Sequence, residues 1–186
     1  MHEWYAAPME GLTGWRWRQV QHEMFGGAAL YVTPFVSPNG NFSFQRKELE
    51  ELDPERNRGI PVVPQILTNR AEYFVWAAKE CRSRGWAQID LNLGCPSGTV
   101  TGKKKGAGLL RQPELLRQLL DGIFDALPDM KISVKTRIGW ERAEEWPALL
   151  PLLETYPICR LTVHPRVRTQ FYKGTADREV FRWTAE

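Results

Sequence analysis

Short apolar runs rich in β-branched residues alternate along this chain with longer segments of helical period, and few folds accommodate that alternation. Candidate strands lie at 4–7, 29–33, 61–67, 87–93, 131–136 and 160–164, and candidate helices at 14–25, 44–52, 69–85, 112–127 and 143–156. In the third helix Phe74, Ala77, Ala78 and Cys81 recur at three- and four-residue steps, the spacing of a helix face laid on a sheet. Thr68 or Asn69 is expected to cap it, with Glu72 in its first turn and Gly85 ending it. Leu115, Leu116, Leu119, Leu120 and Ile123 give the fourth helix a similar stripe, with Pro113 tolerated in the first turn.

Strand and helix in regular succession predict parallel strands joined by right-handed crossovers. A (β/α)₈ barrel and an open doubly wound sheet both satisfy that rule. The turn after the first strand reads Pro8-Met9-Glu10-Gly11 rather than a Gly-rich dinucleotide fingerprint, which favours the barrel. Only about six β/α units can be found in the 186 residues, whereas a closed barrel has eight strands and typically about 250 residues. The expectation is therefore one incomplete barrel domain over residues 1–186: a fragment, a shortened variant, or a protein whose sheet is closed by a partner. A further helix is expected to start near Phe181.

Composition narrows the setting. An apolar content of 42% is enough for one core, and a formal charge of +3 permits a polyanionic partner without requiring one. The three cysteines, Cys81, Cys95 and Cys159, form no CxxC pair and no Cys/His cluster, so neither a disulfide framework nor a metal site is expected, and a reducing cytoplasm fits best. No apolar run is long enough for a signal peptide or a membrane span. Trp15, Trp17, Trp86, Trp140 and Trp146 stand beside charged residues and are read as half-buried.

Polar and reactive residues collect just after the strand ends: Met9 and Glu10, Gln65, Asn92 and Cys95, Lys135 and Arg137, His164 and Arg166. In a (β/α)₈ barrel all these ends open on one rim, where the active site lies. Leu91-Asn92-Leu93-Gly94-Cys95-Pro96 presents a thiol on a tight turn, and the Gly- and Lys-rich stretch 101–108 reads as a flexible basic loop able to close over an anion. A lone cysteine is more often a packed small hydrophobe, the reading given to Cys81 and Cys159. Lys135 at the end of an apolar strand needs an anionic or carbonyl partner if it points into the barrel, or else reaches solvent. His164 and Gln65 each have a plain alternative as hydrogen-bonded structural groups.

Taken together, 6–11, 63–65, 91–96, 133–137 and 163–166 resemble the dihydrouridine synthase family, in its order and at its spacing. Pro165 stands where many relatives carry glycine, and the family's last two strands and small helical tRNA-binding domain are not found. The resemblance implies reduction of uridine to 5,6-dihydrouridine in tRNA, with flavin mononucleotide (FMN) as cofactor and NADPH or NADH as electron source. It implies that Pro8, Met9 and Glu10 pack along the flavin, that Gln65 meets its edge, and that Lys135 and His164 contact its ring or phosphate side. Cys95 becomes the proton donor, and Asn92, Arg166 and Arg178 lie on the substrate side. Arg16, Arg18, Lys103–Lys105, Arg166 and Arg168 are candidate contacts to tRNA phosphates.

Overall fold

A computed structural model describes residues 3–185. In chain order the elements are β1 (Tyr5–Ala6), α1 (Trp15–Phe25), β2 (Leu30–Val32), α2 (Arg46–Glu51), β3 (Val62–Val63), β4 (Gln65–Ile66), α3 (Ala71–Ser83) and β5 (Gln88–Leu93). They continue with α4 (Gly98–Thr101), α5 (Pro113–Ala126), β6 (Lys131–Arg137), α6 (Trp146–Glu154), β7 (Arg160–His164) and α7 (Arg178–Ala185). Every strand pairing is parallel, in the order β1-β2-β3 and β4-β5-β6-β7. Pro64 splits the expected third strand in two, since it has no N–H to give a ladder. Its carbonyl still accepts from Asp90 N at 2.8 Å, and Val36 bridges to Ile66, so both halves follow one continuous sheet path. The strands thus follow chain order around an unclosed (β/α) barrel, with β1 and β7 each bonded to a single neighbour.

The two faces of each strand go to different environments. Ile89, Leu91 and Leu93 point outward and are fully buried with Phe74, Ala77, Ala78 and Cys81 of α3 and Leu116, Leu119, Leu120 and Ile123 of α5. Burial of each such large side chain contributes about 1.5–3 kcal/mol. Gly122 lets α5 approach α3 closely, for a methyl group there would lie 2.6 Å from Ala71 Cβ. The inner face is polar instead: Gln65, Asp90, Asn92 and Ser133 are all buried there. Barrel interiors are ordinarily filled by branched apolar residues, so this polar filling is set by something other than packing.

The helical faces and strand ranges follow the sequence expectation, and several details do not. Arg70, not Thr68 or Asn69, is the N-cap of α3; Thr68 Oγ1, two residues upstream, instead accepts the Arg70 N–H at 3.2 Å. Trp146 is fully buried rather than amphipathic, because α6 turns it into the core, where its Nε1 donates to Thr184 Oγ1 at 2.7 Å. Cys159 is exposed, not packed. The Lys-rich stretch is built into α4 and a 3₁₀ turn, Gly106–Leu109, with Gly106, Ala107 and Gly108 buried. Among the described residues no helix is long and apolar enough to cross a membrane.

Candidate active site

At the C-terminal ends of the strands lies a cavity of about 610 Å³, a volume in the range of small-molecule sites. Its wall contains Pro8, Met9 and Glu10 after β1, Gln65 of β4, Asn92 and Cys95 from β5 and its turn, Lys135 of β6 and His164 of β7. Residues separated by more than 150 positions thus meet at one rim because a parallel barrel delivers every strand end to the same side. Arg137, Phe35, Phe171 and Tyr172 also line it. Arg137 shares Lys135's face of β6, a signal the two-residue repeat carries, whereas nothing local in the sequence marks the three aromatic residues.

The thiol turn is held from both sides. Asn92 Oδ1 accepts the N–H groups of Gly94 at 3.0 Å and Cys95 at 2.9 Å. The Cys95 carbonyl accepts Ala107 N–H at 3.1 Å, which anchors the turn on the Gly106–Leu109 segment. Burial pushes the Cys95 thiol upward, a shift opposed by the Ser97 N–H, reinforced by Glu10, and opposed again by Arg137 and Lys135; the net direction is up. A half-buried thiol in this position keeps its proton at neutral pH.

Below the turn runs a chain of buried side chains. Asn92 Nδ2 donates to Gln65 Oε1 at 2.7 Å, Gln65 Nε2 donates to Asp90 Oδ2 at 2.7 Å, and Ser133 Oγ donates to Asp90 Oδ1 at 2.7 Å. Gln65 is therefore satisfied by neighbouring side chains rather than by backbone. Nothing local in the sequence marks Asp90, since only the strand register places it under Gln65. Burial raises its carboxyl to about 6, against the opposing pull of Ser133, Gln65, Lys135 and Arg160.

Among the described residues, neither Lys135 nor His164, both facing the cavity, is fixed by an ion pair. Lys135 is half-buried, and desolvation lowers its ammonium from the ordinary value, Asp90 acting in the opposite sense. Burial lowers His164 to about 4, with Arg137, Lys135 and Arg166 adding to the shift, so the ring is neutral at pH 7. Arg166 NH1 lies 2.9 Å from His164 Nε2; a guanidinium can only donate, so Nε2 accepts and the ring proton sits on Nδ1. Arg166 itself stands behind His164, outside the cavity wall, with its Nε buried and unpartnered. Arg178 is exposed at the first position of α7, also outside the wall.

Of the cations expected to face a polyanion, two are committed to the fold. Arg18 is completely buried, bonded to Glu51 at 2.9 Å, Asn57 at 2.8 Å and the Thr13 carbonyl at 3.0 Å, and cannot reach a phosphate. Arg168 donates to the Pro96 carbonyl at 3.1 Å and Thr101 Oγ1 at 3.2 Å, and stacks on Trp140 and Phe171. Arg16, Lys103 and Lys104 remain exposed, and Lys105 reaches Ser37 Oγ at 3.1 Å.

The family model for dihydrouridine synthase (Dus) matches residues 5–181. The chain is 30% identical over 172 residues to a probable tRNA-dihydrouridine synthase of Rhodobacter capsulatus, covering 92% of this chain and 52% of the relative. It is 33% identical over 175 residues to the tRNA-dihydrouridine(16) synthase of Vibrio vulnificus, covering 90% and 54%. It thus spans about half the length of the curated relatives it matches. A truncated 3-deoxy-D-arabino-heptulosonate 7-phosphate synthase from Thermotoga maritima superposes with a TM-score of 0.54 at 15% identity, over 98% of this chain and 60% of that one, a likeness of fold alone. With the matched region running from β1 into α7 and carrying the whole cavity wall, the chain belongs to the dihydrouridine synthase family.

Proposed function

We propose that this chain is the catalytic barrel of a tRNA-dihydrouridine synthase that uses FMN, with NADPH or NADH as the external reductant. The observation that carries the reading is the position of Cys95: a thiol held in its neutral form on the same cavity wall as Lys135 and His164. The cavity suits a flavin in size and in donor set. Pro8 and Met9 offer an apolar ledge, Gln65 keeps one amide N–H free of the internal chain, and Lys135 offers a cation toward a ring that gains negative charge on reduction.

When bound, the flavin supplies a hydride equivalent to C6 of the uracil 5,6 double bond. The chain's part is the proton. As C6 receives the hydride, electron density moves to C5, and the Cys95 S–H protonates that carbon. The resulting thiolate lies near Lys135 and Arg137 and regains a proton from solvent. Uridine in a folded tRNA must leave its stack to reach this rim, and exposed Phe171 and Tyr172 give an extruded base a stacking surface. Asn92 reaches the base only with the N–H not given to Gln65, because its oxygen is bound in the turn.

The test is direct. The expressed chain is titrated with FMN by flavin fluorescence, then supplied with NADPH and an unmodified tRNA transcript, and dihydrouridine is measured by mass spectrometry. Flavin uptake with tRNA-dependent dihydrouridine is expected, and Cys95→Ala is expected to keep flavin binding while lowering turnover by about 10²–10⁴. Undiminished turnover in that variant would remove Cys95 from the mechanism; oxidation of NADPH by orotate or an enone, with tRNA inert, would overturn the substrate assignment.

A further inference from the structure

A fully buried carboxylate in a barrel interior is expensive unless it is put to use, and Asp90 is 2% exposed on the inner face of β5. It lies at one end of a hydrogen-bond chain whose opposite end is the Cys95 backbone. From the rim inward the donors run in one sense: Gly94 and Cys95 N–H to Asn92 Oδ1, Asn92 Nδ2 to Gln65 Oε1, Gln65 Nε2 to Asp90 Oδ2. Both ends lack an alternative. Backbone N–H groups only donate, and an ionised carboxylate only accepts, so each amide between them has a single workable orientation. A reversed Gln65 would turn its N–H groups toward Asn92 Nδ2 and its oxygen toward Asp90. A reversed Asn92 would set its NH₂ against the turn's own N–H groups.

From this geometry we infer that Asp90 is a positioning residue for the proton donor, setting the Cys95 turn through Gln65 and Asn92. The inference rests on the reading of Cys95 given above, and it names the group that makes that reading work. Gln65 accordingly serves first as a link in the chain and meets a cofactor only with what the chain leaves over. Ser133 holds the second carboxylate oxygen at 2.7 Å and itself accepts from Gln88 Nε2 at 3.1 Å, which fixes Asp90 to β5 and β6. Loss of the acceptor at position 90 leaves the Gln65 amide buried and unsatisfied, and the cheapest relief is rotation of Gln65, release of Asn92 and loosening of the turn.

The experiment reads the thiol rather than turnover. In a Cys159→Ser background, which removes the exposed thiol, alkylation of Cys95 by iodoacetamide is followed by mass spectrometry across the thiol titration range. Cys81, buried in the core, is the internal reporter of global opening. Asp90→Ala is expected to speed Cys95 alkylation about tenfold and lower its pH midpoint, with Cys81 unchanged. Asp90→Asn is expected to stay within about threefold of the parent, since an amide oxygen can still accept from Gln65. Gln65→Leu is expected to match Asp90→Ala, and the double variant to be no worse than either. The inference is overturned if Cys95 behaves as in the parent in Asp90→Ala, or if Cys81 accelerates with it, which would make Asp90 a mere holder of the fold. It is equally overturned if Asp90→Asn is as damaging as Asp90→Ala, which would assign the effect to charge on Lys135. Should Asp90→Ala fail to fold, parent-like Cys95 reactivity in Gln65→Leu decides against the chain. No flavin or tRNA enters this measurement, so a negative Cys95→Ala turnover test and a negative result here are distinguishable.

Discussion

Gly106 takes φ +54° beneath the thiol turn, and a methyl group on it would lie 2.9 Å from the Cys95 carbonyl oxygen and 3.0 Å from Cys95 Cβ. Gly11 has a similar φ of +79° but nothing within 4 Å of the same construction. The pair separates backbone strain from collision. Gly11→Ala should cost about 1–2 kcal/mol in urea unfolding, the penalty of a left-handed non-glycine residue. Gly106→Ala should cost about 1–3 kcal/mol beyond that and disturb Cys95 alkylation, because the displaced atoms belong to the turn itself. Equal costs for the two would show that the turn yields easily. A run of glycines and lysines reads from sequence as a loose loop, since what these glycines touch is revealed only when α4 is folded back on the turn. Arg18 illustrates the same limit. Its partners Glu51 and Asn57 are 33 and 39 positions away, so a buried ion pair and a surface cation have the same local sequence.

Elements were legible where periodicity carries the information and illegible where caps and breaks do. The stripes of α3 and α5, the ends of β7 and the rim positions of Gln65, Lys135 and His164 all follow from repeats of two or three-to-four residues, and Cys95 from the turn that closes β5. The Pro64 break and the Arg70 cap depend on which backbone groups find partners across the sheet, and no repeat encodes that. The 3₁₀ turn Ala143–Glu145, which leads into α6, depends on such a cap. Glu145 accepts the N–H groups of Trp140 at 2.7 Å, Glu141 at 2.9 Å and Arg142 at 2.9 Å, closing the loop after β6. Burial pushes its carboxyl up, but those three N–H groups, with the Arg142 charge, outweigh burial and hold it below the ordinary carboxylate value. A lowered carboxylate contributes stability above its unfolded value and loses it as pH falls through the folded one. Glu145→Gln should therefore destabilise by about 1–2 kcal/mol at neutral pH, and the difference from wild type should shrink below about pH 4. A gap that stays constant with pH would assign the effect to shape rather than charge.

For the molecule as a whole, the open barrel makes the interior unequal from one side to the other. Asp90 on β5 is sealed, while every residue of β7, which has a single neighbour, is only half-buried, and Arg160 of β7 meets the Tyr5 ring of β1 at 4.7 Å across the open side. Polar groups are thus shifted by burial in opposite senses within one cylinder. Asp90 rises from 3.8 to about 6, so the folded state takes up a proton there as pH falls, and the associated stability is lost as pH rises through 6. His164 falls from 6.5 to about 4, so the folded state sheds a proton there, and its contribution, present above 6.5, is lost as pH falls toward 4. The two slopes oppose one another across nearly the same window, so the contributions of these two groups should nearly cancel between about pH 4 and pH 6. Asp90→Asn should unmask the histidine, giving a protein that weakens as pH drops through this range. His164→Asn should unmask the carboxylate, giving one that weakens as pH rises. Urea unfolding of the three proteins at about pH 4.5 and about pH 6 measures both slopes, and parallel profiles for all three would show that neither group changes its proton affinity on folding.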